Sequence, residues 1–463
     1  MAWLRSVRTH INSVVFQRLA MTSQVPPAPT ARPLACLLAG ALCGLLALAP
    51  AALAETRAAP AKPQAKNQAK NQAKPAKKKR MTNQAKPAPS PKPLAFEKPC
   101  ADGTRVRVAA VGDVLLHDML QKWAAGQKEG FYAALDPVSD IIRAADIAFA
   151  NLEGPAAEGV ASNGKAVRPP ATRYDKSVYR GYPMFNYHPS IVTDLKRAGF
   201  DVLLTANNHS LDRHQLGADK TIEAIKATGL AYTGTRHREN MTAPWHVVTP
   251  VKVGSATYNI GWLGCTYGTN GVPDRANQVL KCYDQRDEVL ENIRTLAKRA
   301  DVHAIFFTPH WGGEYSHKAD EKQTALAKDV LEAGATAVIG SHPHVMQPIE
   351  KYTTKDGRET VIAYSLGNFV SNQIGLPRLS SAILLMALGP DGKGKLQMAS
   401  IGWVPLRMQV RGGFRVDAID RLKAPDGRDS RVHLVRQLPE GNIHPPTAPF
   451  ATQVAGTCPT PRT

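Results

Sequence analysis

The sequence predicts an α/β fold of two packed β-sheets with helices outside them, and three observations carry that reading. Short β-rich runs alternate with helical patterns from Arg105 onward, a group of strands without intervening helices follows, and the early strands end on polar or ionisable residues. Arg105–Val114 (RVRVAAVGDV), Ile147–Leu152, Asp201–Ala206 (DVLLTA), Ala304–Thr308 (AIFFT) and Thr336–Gly340 (TAVIG) read as buried strands. Helical stretches precede most of them, such as Ser190–Ala198 before Asp201 and Lys322–Ala333 before Thr336. Thr360–Tyr364, Ala382–Leu388 and Lys395–Pro405 make up the helix-free group. Past Gly412 the pattern weakens into Pro, Gly and charge, so residues 412–463 are expected to extend a body spanning 100–411.

The chain has 463 residues, 43% hydrophobic and 21% charged, enough apolar material for an ordinary core, which excludes wholesale disorder. Its net charge of +20 is unevenly placed. Sixteen of the 58 basic residues but only two of the 38 acids, Glu55 and Glu97, lie in the first 98 positions. The folded body is therefore only mildly basic, and no basic–aromatic interleaving accompanies the charge, so nucleic acid is not an expected partner.

Four arginines (Arg5, Arg8, Arg18, Arg32) precede the uncharged run Pro33–Ala54, which closes on Ala52-Leu53-Ala54. Small residues at those positions suit a signal peptidase, so residues 1–54 are expected to be a signal peptide and the protein exported, periplasmic or extracellular. The competing reading is a membrane anchor, against which stand the short apolar length and Pro50. Residues 55–99 repeat QAK and NQAK and are rich in Ala, Pro and Lys, with little apolar surface to offset ordering entropy. They are expected to form a disordered tether, either a plain spacer or a polycation resting on anionic cell-surface material. Four cysteines remain after such cleavage: Cys100, Cys265, Cys282 and Cys458. An even number in an exported chain suggests two disulfides, one stapling the ends and one pinning 265–282, although connectivity is not legible and four free thiols stay open.

The polar residues that matter follow strands. Asp113 ends the first, Glu153 the second, Asn207-Asn208-His209 follow the third, His310 the fourth, and His342-Pro343-His344 the fifth. In α/β sheets ligands collect at the carboxyl ends of strands, and so many carboxylates and imidazoles are costly to bury without a partner. A cation satisfies them together, and mixed His and carboxylate donors suit Mn, Fe or Zn. Residues two apart on an extended segment point the same way, so His342 and His344 are both expected to face one site.

The ordered motifs GD113, NLE153, ANNH209, HWG312, GSHPH344 and SLGNF369 resemble the CapA family of capsule or poly-γ-glutamate biosynthesis proteins, over about Val106 to Val370. That family resembles the calcineurin-like metallophosphoesterases, which implies a four-layer sandwich, two mixed sheets flanked by helices, with two divalent metals at the strand ends. The resemblance implies Asp113, Glu153, Asn208, His310, His342 and His344 as metal ligands, Glu153 as the bridging acid, and His209 as the catalytic imidazole. Leu115 stands where the first His ligand of that pattern belongs, and His117 either substitutes for it or faces solvent. Asp212 either orients His209 or caps the following helix. Glu314, Tyr315 and Asn368 are weaker candidates near the site, and His188 reads as structural.

Two functions compete. One is a metal-dependent hydrolase of cell-envelope polymer metabolism, taking an anionic polymer or small anionic substrate, with capsule-synthesis membrane subunits as partners. The other is a non-catalytic factor that binds an anionic capsule polymer for assembly or export. A structural zinc site is disfavoured because no cysteine falls in the motifs.

Overall fold

The run Val106–Leu115 forms the first strand, β1, and its near-continuous burial makes it a central strand. The computed structural model describes residues 92–97, 105–422 and 425–450. After β1 come helices α1 (Asp118–Ala125) and α2 (Tyr132–Arg143), strand β2 (Ile147–Leu152), helix α3 (Ser190–Ala198), strand β3 (Val202–Leu204), helix α4 (His214–Ala227) and strand β4 (Ala231–Thr233). Strands β5 (Val247–Val253) and β6 (Ala256–Thr266) precede helix α5 (Arg286–Lys298), strand β7 (Ala304–His310), helix α6 (Glu321–Glu332) and strand β8 (Ala337–Ile339). Strands β9 (Ile349–Thr353), β10 (Glu359–Ala363), β11 (Asn368–Ser371), β12 (Ser380–Pro390), β13 (Leu396–Gln409) and β14 (Arg415–Ala418) follow, then helix α7 (Asp426–Leu434).

Two mixed sheets result. One is ordered β14-β13-β12-β1-β2-β3-β4, with β11 also paired to β1, and the other β5-β6-β7-β8-β10-β9. Strands β1 to β4 are parallel, as are β6, β7, β8 and β10, so their carboxyl ends gather at one rim of each sheet. The late helix-free strands do not form a sheet of their own. Strands β12 to β14 join the first sheet antiparallel beyond β1, with direct connections joining β12 to β13 and β13 to β14.

Three apolar layers hold the sheets and helices. Inward faces of both sheets, including Val108, Phe149, Leu204, Trp262, Phe306 and Leu384, form one core between them. The first sheet's outer face packs on α1, α2 and α3, and the second's on α5 and α6. At the centre Phe149 stacks on Trp262 with ring centroids 5.5 Å apart, and Trp262 on Phe306 at 4.7 Å, joining the sheets. Trp262→Ala should therefore destabilise the protein by about 3–5 kcal/mol, read from denaturant unfolding, since neighbours on two sheets cannot collapse into the gap.

Two boundaries and one hairpin differ from expectation. Residues 92–97, placed in the tether, lie on the body: Leu94 N donates to Asn442 Oδ1 at 2.8 Å, and Leu94 and Phe96 pack against the inter-sheet core. The body also runs past Gly412, since β14 pairs with β13 and α7 covers β12 and β13, with Leu434 buried. The charged sequence conceals this because Gly412 and Gly413 turn a hairpin whose outer positions are solvated. Strands β5 and β6 form a hairpin that the sequence reading did not assign. Cys265 and Cys282 form a disulfide, whereas Cys100, Cys458, the expected signal peptide and most of the tether lie outside the described residues. Among the described residues no helix is long and apolar enough to cross a membrane.

Candidate metal centre

The site is assembled where β1 changes partners. Its first half pairs with β12, but at Asp113 it pairs with β11, in register with Asn368. Gly112 permits the switch: a β-carbon there would lie 1.9 Å from Gly367 O. Asp113 N donates to that same carbonyl at 2.9 Å, which locks Asp113 beside Asn368. Strand β2 supplies Asn151 and, just past its end, Glu153. Strand β7 ends on His310. After β8 the chain does not continue extended. His342 has φ 99° and His344 φ 59°, both left-handed, so the expected two-residue alternation does not apply. The turned backbone nonetheless brings both rings to the same cluster, with centroids 5.7 Å apart. Left-handed non-glycine residues cost about 1–3 kcal/mol each and persist where the surroundings over-determine them.

All six expected ligands converge and are buried. Glu153, His342 and His344 form one group whose donor atoms lie within 4.8 Å of one another, and Asp113, Glu153 and His310 form another. Glu153 belongs to both. Its Oε1 lies 3.6 Å from His310 Nε2 and 3.9 Å from His344 Nε2. Asn208 Oδ1 lies 2.8 Å from His310 Nε2, and Asp113 Oδ2 lies 3.1 Å from His344 Nδ1.

Electrostatics show what the cluster lacks. Both Glu153 oxygens and His342 Nδ1 are buried without a hydrogen-bond partner among the described residues. Burial pushes the Glu153 carboxyl well above its usual range, with the His344 charge opposing only in part. Burial and the neighbouring His344 hold His342 down at about 3, and burial lowers His310 well below its usual value. Burial opposes charge on His344 too, yet Glu153 and Asp113 raise it to about 9. His310 and His342, held neutral beside the buried Glu153 carboxyl, present lone pairs to a common space, an arrangement a divalent cation fits.

His209 and Asp212 form a separate pair. Nδ1 of His209 lies 2.7 Å from Asp212 Oδ2, which also accepts from Phe185 N at 2.6 Å. The Phe185 ring meets the imidazole edge-on at 4.7 Å. Asp212 thus contacts His209 and does not cap α4, whose capping residue is Arg213. Leu115 is buried in the helix-facing core. His117 is half-buried outside both donor groups, accepting from Asn372 N at 3.4 Å, and burial with nearby His344 lowers it to about 4. His188 lies 3.0 Å from Ser190 Oγ at the start of α3, a structural position. Asn368 Oδ1 lies 3.1 Å from His344 Nδ1, and Tyr315 and Glu314 are exposed at the rim.

Several site residues were not foreseen. Asn151 Nδ2 donates to Asp113 Oδ1 at 2.8 Å and lies 3.2 Å from His310 Nδ1. It stands on β2, two residues before Glu153, which lies just past the strand's end. Asn207, already named with Asn208 and His209 after the third strand, donates to Leu152 O and accepts from His209 N, shaping the turn. Tyr187 donates to Glu153 O from a loop without regular periodicity. Tyr267, just after the bridged Cys265, tilts over His342 at 4.6 Å.

Comparison with known proteins finds sequence relatives. Residues 107–373 match the family described as Bacterial capsule synthesis protein PGA_cap. The chain is 31% identical over 222 residues to a Bacillus anthracis protein named Capsule biosynthesis protein CapA, covering 47% of this chain and 50% of that one. It is 28% identical over 292 residues to the Bacillus subtilis PGA biosynthesis protein CapA, covering 63% of this chain and 70% of that one. The chain thus spans half the length of the first relative. A Staphylococcus aureus structure assigned as a 5'-nucleotidase aligns at TM-score 0.39 and 12% identity, over 71% of this chain and 58% of that one, too loosely to bear on chemistry.

Proposed function

The chain belongs to the family Bacterial capsule synthesis protein PGA_cap, and from that premise we propose that it is a metal-dependent hydrolase acting on an anionic polymer of the cell envelope. The observation that carries the reading is Glu153, a fully buried carboxylate whose oxygens accept no hydrogen bond among the described residues and which two donor groups share. Two divalent cations (Mn, Fe or Zn) would be held by Asp113, Glu153, Asn208, His310, His342 and His344. Such cations polarise a scissile group and acidify a water.

The chain's own residues do the rest. Asn151, bonded to Asp113 and adjacent to His310, fixes two donors at once. Asn151→Ala should weaken metal affinity by ~10–100-fold, read by competition with a chelator, the usual cost of removing a residue that orients ligands. Asp212 holds His209 Nδ1, which leaves Nε2 to pass a proton to a departing oxygen. Export through cleavage after Ala54, contact of the basic tether with anionic surface material, and membrane subunits of capsule synthesis as partners belong to the same proposal.

The test is metal analysis of protein lacking residues 1–54, with assays on phosphoesters, amides and poly-γ-glutamyl substrates. Expected are two metal equivalents and hydrolysis that chelation abolishes and metal restores. Full metal content without hydrolysis of any substrate would move the reading to a non-catalytic polymer-binding factor, and a protein that takes up no metal would sink both.

A further inference from the structure

We propose that Arg378 receives a second anionic group of the substrate, beside the one that reaches the metal centre; the inference rests on the hydrolase reading above. Arg378 lies in the short segment between β11 and β12, and this segment borders the site along its length. At one end Asn372 N meets His117, and at the other the Arg378 guanidinium lies over the Tyr315 ring, 4.8 Å from its centroid. That ring in turn stands 6.0 Å from the ring of His344. Arg378 is thus one aromatic ring away from an expected metal ligand.

The backbone of this segment is tied to the same ligand. Asn368 Oδ1 lies 3.1 Å from His344 Nδ1, while its Nδ2 donates to Gln373 Oε1 at 3.0 Å and to Arg378 O at 3.2 Å. One amide therefore fixes His344 and the carrier of Arg378 together. The guanidinium, by contrast, has no carboxylate partner within ion-pair distance among the described residues, whereas Arg415 and Arg421 each have one. Arg378 is half-buried and Tyr315 is 47% exposed, so the cation stands at the mouth, not in the core. The guanidinium also reaches the Tyr315 hydroxyl, but with five N–H donors it keeps others for a carboxylate or phosphate. Around it the ionisable groups are acidic or imidazole: Glu314 reaches Tyr315 from the rim, and Asp113 and Glu153 lie within. An anionic group that is not at the metals finds its charge complement here at Arg378.

The probes are glutarate and butyrate, with two carboxylates and one, titrated calorimetrically into metal-loaded protein. Wild type should bind glutarate at least ~10-fold more tightly than butyrate, the scale of one charge-assisted bidentate contact. Arg378→Met should erase that preference with butyrate binding and metal content unchanged, and Arg378→Lys should keep part of it. An equal preference in Arg378→Met, or no preference in wild type, overturns the inference, as does loss of metal in both variants, which would make Arg378 a support of the centre. Metal content of the wild type reports separately on the hydrolase reading. If none is taken up, that reading fails, while the same titration of the metal-free protein still upholds the arginine's role if Arg378→Met removes a glutarate preference.

Discussion

Glu153→Gln should lose at least one of two metal equivalents, and in chelated protein it should be more stable than wild type. The two halves of this result come from one fact. Glu153 is wholly buried, neither oxygen has a hydrogen-bond partner, and burial dominates its environment. Without a cation the fold bears the desolvation of a buried carboxyl group that accepts no hydrogen bond among the described residues and whose cost the His344 charge offsets only in part, so a neutral isostere relieves it. With cations present, the carboxylate is the donor both groups share, and an amide is a weaker ligand. Elemental analysis gives the metal count, and denaturant midpoints with and without chelator give the crossing. Full metal content in the variant, or a chelated variant less stable than wild type, would remove Glu153 from the shared position. Asp113→Ala and His344→Ala should each lower metal content as well, but each belongs to only one of the two donor groups.

The same residues show what a sequence makes legible. Asp113, Glu153, Asn208, His310, His342 and His344 could be found because each stands at or just beyond an apolar strand, and a parallel strand's carboxyl end has a predictable place in the fold. Asn151 was hidden inside β2, where its polarity was masked by apolar neighbours on both sides. Tyr187 and Tyr267 come from loops, 153–189 and 267–285, whose path is set by contacts and a disulfide and not by periodicity. The β5–β6 hairpin did carry a signal, Gly254-Ser255 between paired Val253 and Ala256, with Gly254 at φ 60°. The position of the HPH pair was right for an incomplete reason, since two left-handed residues and not strand pleating aim the rings. The end of the body was misplaced because β14 is recognisable only by the strand it pairs with.

His209→Ala should keep both metals and lower kcat by ~10²–10⁴-fold, the range expected for a lost general acid. Its geometry separates it from the ligands. Nδ1 is committed to Asp212 at 2.7 Å, the ring is wedged by Phe185, and His209 belongs to neither donor group. Asp212→Asn should act through the same ring, by favouring the wrong tautomer, so the double variant should be no slower than the worse single one. A purely structural role for His209 would slow all substrates alike. A proton-donating role predicts a graded loss, small for a nitrophenolate, which departs without help, and large for an alkoxide or amine, which must be protonated as it leaves. A loss independent of leaving-group basicity, or one that tracks falling metal content, would therefore take His209 out of the proton's path.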